Sequence, residues 1–395
     1  MAAVAISPRP TDVDNTPEAL RAQFQLDPDM VFLNHGSFGA TPKPVFEVYQ
    51  AWQRQLEREP VAFVAHRQEA LLDAARARIA AYLNAEADNL TFVVNATSGL
   101  NVVARSLPLQ PGDEVLTTDL EYGALDLTWE HLCAKAGARY IHQPITLPVT
   151  SREAVVDQLW EGVTERTRAI FLSHITSGTA LILPVEEICT RARAEGILTI
   201  IDGAHAPGQL DLDMEAIGAD VYSGNFHKWL CTPKGSAFLY VRPEHHGWTE
   251  SLTISWGWRG EHTFVSRNQM QATRDISAFL AVGRAIDFQR EYRWPEVRQR
   301  CFTMLTKLRQ DLHDRWGTIP ISPDSEEWYR QLAVITLPAS APEDLRDRLF
   351  FRHGIEVPVT GHGDMTGVRV SVQGYTTESD LGALRTALDI ELSRG

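Results

Sequence analysis

Between residues 90 and 241, short β-rich runs alternate with stretches of helical spacing, and this alternation restricts the fold more than any other feature of the chain. The runs lie at 91–95, 114–118, 140–144, 169–174, 198–202, 220–223 and 237–241. Such a pattern predicts an α/β arrangement around a mostly parallel sheet. Amphipathic stretches at 44–58 and 67–83 predict helices packed outside that sheet. A Trp- and Gly-rich stretch at 247–270 has little periodicity. From 276 onward two long helical patterns precede strand candidates at 332–337, 355–358 and 368–372, and a closing helix starts at 378.

At 395 residues the chain exceeds the usual single-core size. The expected division is a large α/β domain over 30–275 and a smaller α+β domain. The smaller one combines an N-terminal arm, 1–29, with 276–395. A net charge of −14 at pH 7, with no long Lys/Arg run, argues against a nucleic-acid surface. Cys133, Cys189, Cys231 and Cys301 are scattered without CxxC spacing. They fit neither a disulfide scaffold nor a zinc site, so no metal is expected and a reducing cytoplasm is. The N-terminus has no apolar signal-peptide core. No stretch reaches the roughly 18 apolar residues of a membrane span.

The chemistry is concentrated between 199 and 229. In Thr199-Ile200-Ile201-Asp202 an apolar run ends in an acid, and 26 positions later Lys228 follows His227 in Ser223-Gly224-Asn225-Phe226-His227-Lys228-Trp229. A lysine able to form a Schiff base, with a carboxylate to hold a protonated pyridine nitrogen, is the minimum equipment for pyridoxal 5'-phosphate (PLP). Asp202 alone reads equally as a cap on the next helix, and a lone lysine as a snorkelling surface residue. Together they make PLP the leading reading. Asn95-Ala96-Thr97-Ser98-Gly99 follows a strand and opens a helix, which suits either a phosphate or an ordinary N-cap. Tyr122 offers a ring that could stack on a cofactor or fill a rim. Arg369, in Val368-Arg369-Val370-Ser371-Val372, suits a substrate carboxylate or a structural ion pair. Asn34-His35-Gly36-Ser37-Phe38-Gly39 reads as a tight loop, at a ligand or not. His174 and His205 read on their own as satisfied polar residues.

These segments, with Ser173-His174-Ile175-Thr176-Ser177-Gly178, Leu181-Ile182-Leu183-Pro184, Asp202-Gly203-Ala204-His205-Ala206-Pro207-Gly208, His227-Lys228-Trp229-Leu230 and Thr273-Arg274-Asp275, resemble class V aminotransferase-like enzymes of the fold type I PLP superfamily. The likeness covers nearly the whole chain and is strongest to the isopenicillin N epimerase branch. It implies that Lys228 carries the cofactor as a Schiff base and that Asp202 pairs with its pyridine nitrogen. His205 would lie by the phenolic oxygen, and Tyr122 would stack on the ring. Thr97, Ser98, Asn225 and His227 would bind phosphate, and Thr273 would reach the phosphate of a neighbouring subunit. Asn34, His35, Ser177 and Arg369 would meet the substrate, with Arg369 on its α-carboxylate. Ser177 stands where many relatives carry asparagine. The loop 357–365 lacks the cysteine that desulfurases place there, and Cys231 reads as structural.

The implied enzyme is a homodimer with shared active sites that removes the Cα proton of an amino acid. Epimerisation returns a proton to the opposite face, whereas a carbon–sulfur lyase expels a β-leaving group from a cysteine conjugate or sulfoxide. Transamination reprotonates the cofactor. A non-catalytic PLP-binding regulator is the alternative of another class, and the short acidic N-terminus leaves no room for the DNA-binding segment such regulators carry.

Overall fold

A computed structural model describes residues 13–393. The first part of the expected arm, and with it the N-terminus read for a signal peptide, lies outside the described residues. The strands are β1 (Val31–Phe32), β2 (Leu90–Val93), β3 (Glu114–Thr118), β4 (Arg139–Gln143), β5 (Thr167–Ser173), β6 (Leu198–Asp202), β7 (Val221–Asn225), β8 (Ala237–Val241), β9 (Leu332–Thr336), β10 (Ile355–Glu356), β11 (Val359–His362) and β12 (Met365–Ser371).

Seven of them form the central sheet in the order β2-β8-β7-β6-β5-β3-β4. Only β8 runs against its neighbours, β2 and β7. The mostly parallel α/β sheet expected from the alternation is therefore present. Inner strands such as β5, β6 and β8 read as apolar runs because helices cover both faces, whereas the edge strand β4 is polar and partly exposed. Phe171 and Ile200 turn to one face, with Leu100 and Val103 of the helix Ala96–Ser106. Their neighbours Leu172 and Ile201 turn to the other, with Leu181 and Ile188. The period of two sends adjacent side chains to opposite layers. One consequence matters for chemistry: Ser173, Asp202 and Asn225 close three adjacent parallel strands at one edge.

Helices Lys43–Arg58 and Gln68–Leu83 occupy the positions expected of them, and helices Ser277–Leu280 and Val282–Glu291 pack onto both. A second, antiparallel sheet has the order β11-β12-β9, with helices Trp294–Trp316 and Glu378–Leu392 packed beside it. The N-terminal segment joins this part of the chain through β1, which pairs in parallel with β10. Strand β11 was not expected, because Val-Thr-Gly-His lacks β-periodicity. It forms by folding back on β12 about Gly363. The Trp-rich stretch is more ordered than its composition suggests. Thr263 caps the helix Phe264–Gln269, which packs against β2. No described helix is long and apolar enough to cross a membrane.

Candidate active site

Asp202 is buried at the carboxyl end of β6, where open α/β sheets bind ligands. Its Oδ1 accepts the Ala204 N–H at 2.8 Å. Among the described residues Oδ2 has no hydrogen-bond partner, so the carboxylate caps its own turn and keeps an oxygen for a ligand. Residue 203 must be glycine, since a Cβ there would overlap the Tyr222 ring. Burial raises the Asp202 pKa, while the Ala204 amide and the Lys228 charge oppose that shift.

Lys228 Nζ lies 3.0 Å from His205 Nε2. Trp229 Nε1 donates to His205 Nδ1 at 3.4 Å. Burial lowers the Lys228 pKa, and Arg369 lowers it further, against the pull of Asp202. The lysine backbone is held from behind. His35 Nε2 donates to the Lys228 carbonyl at 2.9 Å, and Nδ1 accepts from Tyr375 Oη at 2.9 Å. Burial drops the His35 pKa to about 3, so the ring is neutral and both nitrogens are spent. His35 was expected at the substrate, but its ring supports the lysine instead. Gly39, at φ +71°, lets the same loop lie against His227, whose carbonyl a Cβ would strike.

The N-terminus of the helix Ala96–Ser106 forms a second wall. Asn95 Oδ1 accepts the Ser98 N–H at 2.7 Å, and Asn225 Oδ1 accepts the Ala96 N–H at 2.8 Å. Among the described residues the Thr97 and Ser98 hydroxyls have no hydrogen-bond partner. Gly99 lets this helix press on Ser223 of β7. His227 donates from Nδ1 to the Ser236 carbonyl at 3.1 Å, leaving Nε2 open. Half-buried hydroxyls, an amide and an imidazole around the positive end of a helix suit an anion.

Arg369, on β12, is 6% exposed. Its Nη1 donates to the Ser177 carbonyl at 2.5 Å and its Nη2 to Ser37 Oγ at 3.0 Å. Its Nε is buried without a partner. Among the described residues no carboxylate pairs with it, and desolvation alone lowers its pKa to about 10. A structural ion pair would need a counter-charge, and among the described residues the guanidinium has only neutral oxygens as partners. Asn34 orients this end: it accepts from Ser37 Oγ at 2.5 Å and donates to Glu356 at 3.1 Å.

Tyr122, 43% exposed, sits just before the helix Gly123–Ala136 at the same sheet edge. Thr273 is exposed, and among the described residues no hydrogen bond ties it to those around Lys228. Sequence reasoning missed Glu121, Tyr375 and Tyr222. Glu121 accepts from Thr118 Oγ1 at 2.7 Å and from Ser173 N and Oγ at 2.8 and 2.6 Å, pinning the segment that carries Tyr122. Burial pushes its carboxyl up to about 8. An acid between Leu120 and Tyr122 was the available signal. Tyr222 Oη meets His174 Nδ1 at 2.8 Å, so His174 is the satisfied residue it was read to be.

An amine, a free carboxylate oxygen, an anion-binding helix end and an unpaired arginine fit PLP together with an amino acid. The family model of class V aminotransferases matches residues 37–384. The chain belongs to the class V aminotransferase family. Its fold type I architecture and its PLP cofactor follow from that membership. Within the family, isopenicillin N epimerase of Amycolatopsis lactamdurans is 36% identical over 95% of this chain and 98% of that protein. A probable chloroplastic L-cysteine desulfhydrase of Arabidopsis thaliana is 28% identical over 92% of this chain and 83% of that protein. Among solved structures, C-DES in a mutant form with glycine covalently linked to its PLP cofactor superposes with a TM-score of 0.81. It is 22% identical and covers 93% of this chain and 98% of its own.

Proposed function

We propose that this enzyme removes the Cα proton of an amino acid and returns a proton to the opposite face, as an amino-acid epimerase of the isopenicillin N epimerase kind. The observation that carries the reading is the buried guanidinium of Arg369, without a carboxylate partner among the described residues and close enough to act electrostatically on Lys228, as Asp202 does. The likeness to isopenicillin N epimerase supports this reaction over transamination. Bound here, PLP supplies an electron sink for the pair left at Cα. Lys228 would hold the cofactor, and its Nζ, as a free amine, would accept the Cα proton. Asp202 would keep a proton on the pyridine nitrogen, Thr97, Ser98, Asn225 and His227 would hold the phosphate, and Tyr122 and His205 would hold the ring of the cofactor. Arg369, braced by Ser177 and Ser37, grips the α-carboxylate bidentately.

The active unit in this reading is a homodimer in which Thr273 reaches the partner's phosphate. Supporting it, Phe38, Ile254 and Trp256 are 71, 76 and 68% exposed, large apolar side chains of the kind a second copy would cover. The cleft would lie between a large domain, 30–275, and a small one, 1–29 with 276–395. Four free, buried thiols favour a reducing compartment such as the cytoplasm. Carbon–sulfur lyase activity is the second reading, favoured by the likeness to the L-cysteine desulfhydrase.

Incubating the holoenzyme with isopenicillin N, with free amino acids and with cysteine conjugates separates the readings. Chiral chromatography that shows interconversion without loss of material supports epimerisation. Stoichiometric pyruvate from cysteine conjugates, with no inversion of any substrate, overturns it in favour of the lyase.

A further inference from the structure

One side chain ties the turn that carries His205 to the sheet that carries Arg369. Gly208, at φ +91°, lets this turn lie on the backbone of Trp229 and Leu230, where a Cβ would overlap. Gln209 follows and is 2% exposed. Its Nε2 donates to the His205 carbonyl at 3.0 Å, and its Oε1 accepts the Gln331 N–H at 3.0 Å. A carbonyl only accepts and a backbone N–H only donates, so the two partners fix which way the side-chain amide faces. His205 and Gln331 are both buried, and among the described residues neither of these backbone groups has another hydrogen-bond partner. Leaving either unmet there would be costly.

Gln331 directly precedes β9, which pairs with β12 so that Val334 stands opposite Arg369. Lys228 is thus joined to this part of the chain from both of its ends. Its carbonyl is held by His35 and, through it, by Tyr375. Its Nζ meets His205, whose own backbone Gln209 holds. Arg369 acts electrostatically on both Lys228 and His205.

We infer that Gln209 is a positioning residue: acting through His205, it holds Lys228 Nζ in place against the sheet that carries Arg369. The inference rests on the proposed role of Lys228 and is independent of which reaction follows.

The test is competitive reductive alkylation of the full-length, cofactor-free protein, for wild type, Gln209→Leu, Gln209→Glu and Leu312→Ala. Gln209→Leu removes both bonds. Gln209→Glu has nearly the same shape, keeps the acceptor for Gln331 and loses the donor to His205. Arg298, which donates to the Gln209 carbonyl at 3.3 Å, favours its ionised form. Leu312→Ala truncates a buried side chain of the helix Trp294–Trp316 and controls for lost stability. With His205 released, water reaches Lys228 and the effect of burial weakens, so its reactivity midpoint should rise in both Gln209 variants. The rise should be about one pH unit, the equivalent of one buried hydrogen bond. Covalent uptake of PLP at neutral pH should slow about tenfold, in step with the loss of free amine. Leu312→Ala should move neither. An unchanged midpoint in the Gln209 variants, a shift in only one of them, or an equal shift in Leu312→Ala would overturn the inference alone. Wild-type Lys228 that reacts together with the surface lysines would overturn its proposed role and this inference with it.

Discussion

Lys228 Nζ stands 3.0 Å from His205 Nε2, and the other nitrogen of that ring faces the Trp229 indole N–H at 3.4 Å. An indole N–H only donates, so Nδ1 is the acceptor and the neutral ring carries its proton on Nε2. That proton points at the lysine, which can accept it only as a free amine. Burial acts in the same direction: it lowers the Lys228 pKa and holds His205 well below its usual range. The geometry therefore favours a lysine that is a nucleophile and a base rather than an ammonium.

Competitive reductive alkylation of the cofactor-free protein measures this directly. Lys228 should become reactive at a lower pH than the surface lysines, because its pKa is depressed. Asp202→Asn should lower that midpoint further, since the Asp202 charge is what raises it. A midpoint unchanged in the variant would show that the two groups do not interact.

Asp202→Asn should also retain cofactor while losing activity by about two orders of magnitude, the scale seen when one preorganised charge partner is removed. The retained cofactor is measured by its absorbance, and the rate by turnover. Activity within twofold of wild type would remove Asp202 from the pyridine nitrogen.

Arg369→Lys should raise KM and lower kcat/KM with cofactor occupancy unchanged, because an ammonium cannot reproduce the planar fork. Substrates esterified at the α-carboxyl should be poor for wild type and suffer less from the change. A variant that unfolds while esters react as well as acids would make Arg369 structural.

Glu121 offers a test of stability. Burial lifts its carboxyl to about 8, from an ordinary value of 4.5. A raised acid is stabilising while both states are protonated and loses that contribution as the pH climbs to the folded value. Wild type should therefore lose unfolding free energy relative to Glu121→Gln between pH 4.5 and 8, as measured by urea titration. Glu121→Ala, which strands the Ser173 N–H, should cost about 1–3 kcal/mol.

The central sheet was legible because inner strands such as β5, β6 and β8 carry apolar runs, as strands buried on both faces do, while the edge strand β4, Arg-Tyr-Ile-His-Gln, was placed by the alternation around it. Asp202 and Lys228 stood out as charges closing such runs. The hairpin was not legible. Val359–His362 contains glycine and two polar residues, and its strand exists only through the register with β12. His35 was misread because a histidine in a glycine-framed loop looks ligand-facing, and only the fold shows its ring closed between Tyr375 and the Lys228 carbonyl. Glu121 was hidden for a similar reason, since its three donors come from β3 and β5.

Proton exchange at Cα is the most direct test of the whole account. The holoenzyme is incubated with its amino-acid substrate in deuterated water, and recovered substrate is analysed for label and configuration. The account requires deuterium at Cα in recovered material of both configurations with wild type, and none with Lys228→Ala. Unlabelled substrate from a wild-type enzyme whose cofactor absorbance shifts on binding, or full exchange without Lys228, would contradict it.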